Sequence, residues 1–145
     1  MSKQITGTKT MVVSPHHLAT AAGARILLKG GNAFDAAVAV SACLAVVYPH
    51  MTGLGGDSFW LMHHASEGVS AYNASGRAGR LATRDWFKEP EIPKRGPASA
   101  ITVPGMADGW DAVQKRYGKL TFADVLEPAI DYAKNGFPLS PDQRE

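Results

Sequence analysis

Only one of the 145 residues is a cysteine, Cys43, so neither an intrachain disulfide framework nor a metal site built on paired thiolates can form. A large charge of either sign is also missing. The formal net charge of +2 is too small by itself to argue for nucleic acid or an anionic membrane as partner. The longest apolar run, Ala36 to Val47, falls well short of the roughly 20 residues that span a bilayer. The opening MSKQITGTKTMVV contains no apolar stretch and no small-residue cleavage site, which argues against a secretory leader. The expectation from these absences is a cytoplasmic protein with no membrane partner. No internal repeat or low-complexity segment is visible. What is present is 45% apolar and 19% charged, the composition of a globular chain long enough to bury a core. Cys43 lies inside an apolar run, where a small buried hydrophobe is the expected role.

Helix punctuation recurs along the chain. In SPHHLATAAGARILLKGGN, Ser14 is a predicted N-cap, Pro15 suits the first helical position, and Gly30-Gly31 are the stop. Within this helix Leu18, Ala22, Arg25 and Lys29 mark one face, and Ala21, Ala24 and Leu28 an adjacent one. A second helix is predicted to start at Asn32, with Asp35 at capping-box spacing and the alanine-rich AAVAVSACLAVV behind it. Being apolar nearly all round, it should be buried. SFWLMHH and VSAYNA alternate like strands and are joined by the short turn ASEG, which predicts a β-hairpin. Residues 78–98 read as irregular, and SAITVP as a short strand. Met106, Trp110, Val113 and Tyr117 define a third helix stopped by Gly118. A fourth, TFADVLEPAIDYAKNG, has Thr121 and Asp124 at capping-box spacing and Gly136 as its end. Pro128 falls inside it, predicting a disturbance near Asp124–Val125. Two or three strands cannot form a self-sufficient sheet beside so much apolar helix surface, so the expectation is one portion of a larger α+β fold with no separate second domain.

The stretch PHMTGLGGDSF invites a phosphate-cradle reading, which needs strand, loop and helix in that order. Here a helix precedes and a strand follows. The glycine spacing also fits neither GxGxxG nor the P-loop. The remaining explanation is conformational: the glycines permit positive φ or close backbone approach at a sharp helix-to-sheet turn. Of the five histidines, the adjacent His63 and His64 should point to opposite faces of a strand and cannot clasp one metal. NASGRAG lacks the leading glycine of a GxSxG nucleophile elbow. The basic stretch of Arg77, Arg80, Arg84, Lys94 and Arg95 is interleaved with Asp85, Glu89 and Glu91, as in a solvated loop. Arg77 differs, because it follows a strand and has the small neighbours Ser75, Gly76 and Ala78. An arginine so placed can fork onto a substrate carboxylate.

Taken in order, MVVSPHHLATAAGARILLKGGNAFDAAVAVSACLAVVYPHMTGLGGDSFWLM, YNASGRAG, ITVPGMADGW and YGKLTFADVLEPAIDYAKNGFPLS resemble the γ-glutamyltransferase (γ-glutamyltranspeptidase) family of N-terminal-nucleophile hydrolases, from about Met11 to Ser140. The resemblance implies a four-layer αββα sandwich, of which residues 1–145 form the N-terminal part of the large subunit. It implies a precursor that cuts itself into large and small subunits, with no cofactor and no metal. The new N-terminal threonine of the small subunit is then the nucleophile and its α-amine the base. That subunit and the rest of the large one are the implied partners. So are a γ-glutamyl donor such as glutathione and an accepting water, amino acid or peptide. No catalytic residue falls within these 145 positions, so this stretch alone is expected to be inactive. Arg77 matches the family's arginine for the donor α-carboxylate. Ala78 stands where many members have glutamate, and this departure leaves open a cephalosporin- or glutaryl-acylase-like amidohydrolase. A binding module without catalysis is the reading from a different class.

Overall fold

A computed structural model describes residues 5–87, 90–140 and 143. The elements are α1 (His17–Leu28), α2 (Ala33–Val47), β1 (Ser58–His64), β2 (Gly68–Ala74), α3 (Met106–Tyr117) and α4 (Phe122–Asn135), with short 3₁₀ turns at Arg84–Trp86 and Pro97–Ser99. The chain divides into two compact units, residues 1–53 with 110–145, and residues 54–109.

In the first unit, α2 packs against α1 and α4. As its composition predicts, α2 is enclosed, with only Ala33 and Ala37 among its residues exposed. Cys43 is fully buried there, and burial pushes its thiol pKa up to about 12, as expected of a structural rather than a reactive cysteine. The capping box forms as read: Asn32 accepts from the backbone N–H of Phe34 and Asp35, and Asp35 accepts from Asn32 N. Asp35 then does more. Its buried carboxylate also accepts from Gln114 Nε2 at 2.7 Å, from Lys119 N at 3.1 Å and from Leu120 N at 3.3 Å. One acidic side chain thereby fixes the start of α2 and the turn that leads into α4. Thr121 caps α4 by accepting from Asp124 N, and the helix continues through the buried Pro128 to a Gly136 with φ of +83°.

Two expectations for α1 change. The N-cap is His16 rather than Ser14, because His16 keeps an extended backbone and its Nδ1 accepts from Leu18 N. The Ser14 hydroxyl is engaged otherwise, donating to the His16 carbonyl and bonding Thr20 Oγ1. The core face is Ala19, Ala22, Gly23 and Ile26, which leaves Leu28 exposed.

His16 is buried and its Nε2 has no partner among the described residues. Desolvation, followed by the nearby His17 and His50, holds its pKa below the ordinary imidazole value of 6.5. A base whose pKa is depressed by folding binds its proton more readily when unfolded. Its stabilising contribution is therefore complete above about pH 6.5 and is lost as the pH falls from there toward the folded pKa. The thermal midpoint should accordingly drop between about pH 7 and pH 5. His16→Gln, which keeps an uncharged cap, should flatten that slope in a melting series.

In the second unit β1 and β2 pair antiparallel, from Ser58 opposite Ala74 to His64 opposite Gly68. Burial alternates along both strands, so Phe59, Leu61, His63, Val69, Ala71 and Asn73 share the exposed face. His63 and His64 fall on opposite faces, as the period-2 argument requires. SAITVP does not form a strand. Its pairing reduces to one bridge, Ala78 with Thr102, flanked by Val103 N to the Arg77 carbonyl at 3.1 Å and Gly79 N to the Ile101 carbonyl at 3.4 Å. The partner segment is irregular, and Pro104 ends the ladder. Among the described residues no helix is long and apolar enough to cross a membrane.

Candidate binding site around Arg77

Arg77 lies three residues beyond the end of β2, exposed, in the irregular segment that leads to the Ala78–Thr102 bridge rather than in the strand itself. It helps to line a concavity of about 330 Å³ whose walls are residues 73–77 on one side and Val103, Pro104, Gly105 and Asp108 on the other. The guanidinium forms no ion pair with any described residue. Asp108 accepts a hydrogen bond from the Tyr72 hydroxyl at 3.0 Å, and that bond raises the Tyr72 pKa. The concavity thus has an arginine with no ion-pair partner among the described residues in its lining, together with a carboxylate that already has a partner.

The segment carrying Arg77 is fixed at three successive residues. Ser75 N donates to Asn73 Oδ1 at 2.9 Å, Gly76 N donates to Asp57 Oδ1 at 3.2 Å, and the Arg77 carbonyl accepts from Val103 N. The two walls approach so closely that side chains are excluded from both. A Cβ on Gly76 would run into the Val103 carbonyl, and one on Gly105 would run into the Ala74 carbonyl. These are the positions where the site requires glycine.

The glycine-rich loop contributes differently from its sequence reading. Neither Gly53 nor Gly55 has positive φ, and a Cβ on either would meet nothing within 4 Å. The working groups follow them: the Gly56 carbonyl accepts from Gly105 N at 3.1 Å and Met106 N at 3.0 Å, and the Asp57 carboxylate holds Gly76. Reading the loop for its glycines missed Asp57. An acidic residue just past the loop was the available signal, but nothing local indicates a partner 19 residues on. Among the described residues no group of three or more His, Cys, Asp or Glu could hold a metal ion.

Comparison with known proteins gives the wider setting. A family model described as gamma-glutamyltranspeptidase matches residues 19–145. The chain is 70% identical to the glutathione hydrolase-like YwrD proenzyme of Bacillus subtilis over 145 residues, 99% of this chain and 28% of that protein. It is 44% identical to the oxamate amidohydrolase proenzyme of Klebsiella pneumoniae over 142 residues, 94% of this chain and 27% of that one. The structure superposes on Helicobacter pylori gamma-glutamyltranspeptidase with a TM-score of 0.87 at 35% identity, covering 97% of this chain and 42% of that one. The helices and hairpin are thus a portion of the N-terminal-nucleophile hydrolase fold. The chain belongs to the γ-glutamyltranspeptidase family. It spans 28% and 27% of the length of these two curated relatives.

Proposed function

We propose that the complete protein cleaves amides by acyl transfer, and that Arg77 binds the carboxylate of its donor, a γ-glutamyl amide such as glutathione. The observation carrying this reading is an exposed arginine, in no ion pair with any described residue, on a segment braced at three successive residues and lining a concavity large enough for an amino-acid head. A guanidinium presents a rigid fork of donors that matches a carboxylate in two parallel bonds. In the family mechanism the nucleophile is a threonine outside these residues. Its Oγ attacks the γ-carbonyl while its α-amine takes the proton, the C–N bond breaks, and the amine leaves carrying a proton. Water or a second amine then attacks the resulting ester, giving hydrolysis or transfer. The partners in this reading are the remainder of the large subunit and the small subunit of the same precursor.

A second reading, an amidohydrolase acting on another carboxylate-bearing amide, is favoured by two observations. Ala78 supplies no polar side chain after Arg77, and one relative at 44% identity is named for oxamate, itself a carboxylate next to an amide. Four anilide donors separate the two: γ-glutamyl, glutaryl, 4-aminobutyryl and butyryl. With the processed complete protein, kcat/KM should fall at least about tenfold from γ-glutamyl to 4-aminobutyryl, which differ only in the carboxylate. Equal values would refute a carboxylate anchor. A preference for glutaryl over γ-glutamyl would select the second reading.

A further inference from the structure

We infer that Asp57 is a positioning residue for Arg77, and that Gly56 and Asp57 together form a clamp setting the width of the concavity. This rests on the reading of Arg77 as the carboxylate anchor. The walls of the concavity come from two segments, 73–77 and 103–108. Consecutive residues of the loop hold one wall each: the Gly56 carbonyl takes the backbone N–H groups of Gly105 and Met106, and the Asp57 carboxylate takes that of Gly76. Of the three bonds fixing the Arg77 segment, two use neutral acceptors, the nearby Asn73 amide and a backbone carbonyl. The third uses a carboxylate brought from a separate segment, and bonds to an ionised acceptor are the stronger kind. It holds the Ser75–Gly76 peptide unit, leaving the two Gly76 dihedrals as the backbone rotations between that unit and the one carrying Arg77; a change in either would swing the arginine Cα–Cβ bond. Gly76 itself has no side chain with which to resist such a swing, and it cannot gain one because of the Val103 carbonyl. The restraint is therefore supplied from outside, by Asp57.

The test uses the processed complete protein with Asp57→Ala and Asp57→Asn, each in wild-type and Arg77→Ala backgrounds, and the γ-glutamyl and 4-aminobutyryl anilides as donors. Misplacing a binding group by about an ångström costs up to about 100-fold, so a partial loosening in D57A should raise KM for the γ-glutamyl donor about tenfold, with a much smaller change in kcat. D57N keeps a side-chain oxygen to accept from Gly76 and should recover most of the loss. In the R77A background, D57A should add no further loss of carboxylate selectivity, because its effect runs through Arg77. If R77A lowers selectivity and D57A does not, the inference falls and the Arg77 reading stands. Multiplicative effects of D57A and R77A would also overturn it, since Asp57 would then act elsewhere. If R77A itself has no effect, the Arg77 reading fails and this inference with it. Should D57A not fold, D57N and Asp57→Glu carry the test. Glutamate displaces the acceptor by a methylene, so it must raise KM where asparagine does not, and equal KM values would overturn the proposal.

Discussion

Arg77→Ala in the complete protein should raise KM for a γ-glutamyl anilide roughly 10- to 150-fold, from the roughly 1.5–3 kcal/mol that a hydrogen bond to a charged group contributes. The loss should fall on KM more than on kcat, because the carboxylate lies away from the scissile carbonyl and is bound in both ground and transition states. Arg77→Lys should recover only part of it. Lysine keeps the charge but presents an ammonium in place of the planar fork that engages both carboxylate oxygens. Steady-state kinetics on the three proteins checks this, and unchanged KM in R77A would remove Arg77 from the donor site. Neither substitution should alter folding, since the side chain is exposed and makes no ion pair with any described residue.

Asp35→Ala should be the opposite kind of variant, damaging the fold and leaving no chemistry of its own to measure. The carboxylate is fully buried and accepts from four residues, Asn32, Gln114, Lys119 and Leu120. Truncation strips these donors of their acceptor in a place water does not reach, at a cost of about 1–3 kcal/mol for each group left unsatisfied. With partial relaxation the expected loss is on the order of 3–5 kcal/mol, comparable to breaking a buried charged network. Asp35→Asn should recover little. Both carboxylate oxygens face donors, Oδ2 toward Asn32 N and Lys119 N, and Oδ1 toward Gln114, Lys119 and Leu120. Either orientation of an amide therefore sets an NH₂ against an N–H. Thermal melts and soluble yield of the complete protein are the measurements. A D35N protein as stable as wild type would show that the site does not require an acceptor-only group.

Asp35 and Arg77 also mark how far the sequence alone could be read. The four helices were legible because their signals repeat within a few residues: Asn32 and Asp35 at N-cap and N3, Thr121 and Asp124 likewise, Met106, Trp110 and Val113 on one face, and glycines at Gly30 and Gly136 where the backbone turns to positive φ. The hairpin was legible for the same reason, from period-2 alternation on both sides of a short turn. The start of α1 differs because Ser14 and Pro15 carry the local helix-start signals, whereas the cap is the buried His16, whose type does not mark it as one. Arg77 stands out in the sequence only as a candidate, by its small neighbours and by family resemblance, and nothing in the sequence indicates the hydrogen bonds that brace the segment around it.

The sequence by itself determined the four helices, the hairpin, their order and the family, because hydrophobic period, capping and punctuation act between residues a turn or a strand pair apart. The strand expected at SAITVP, by contrast, reduced to one bridge. Only the tertiary structure decided what the loop after α2 does, and which side chains hold distant segments together. Asp57 meets Gly76 across 19 positions, and Asp35 meets Gln114 across 79. A carboxylate can satisfy any N–H within reach, and its choice depends on where folding delivers the donors. For the same reason Gly53 and Gly55, the most conspicuous feature of the loop, meet nothing that excludes a side chain, while Gly76 and Gly105 are constrained by carbonyls far along the chain.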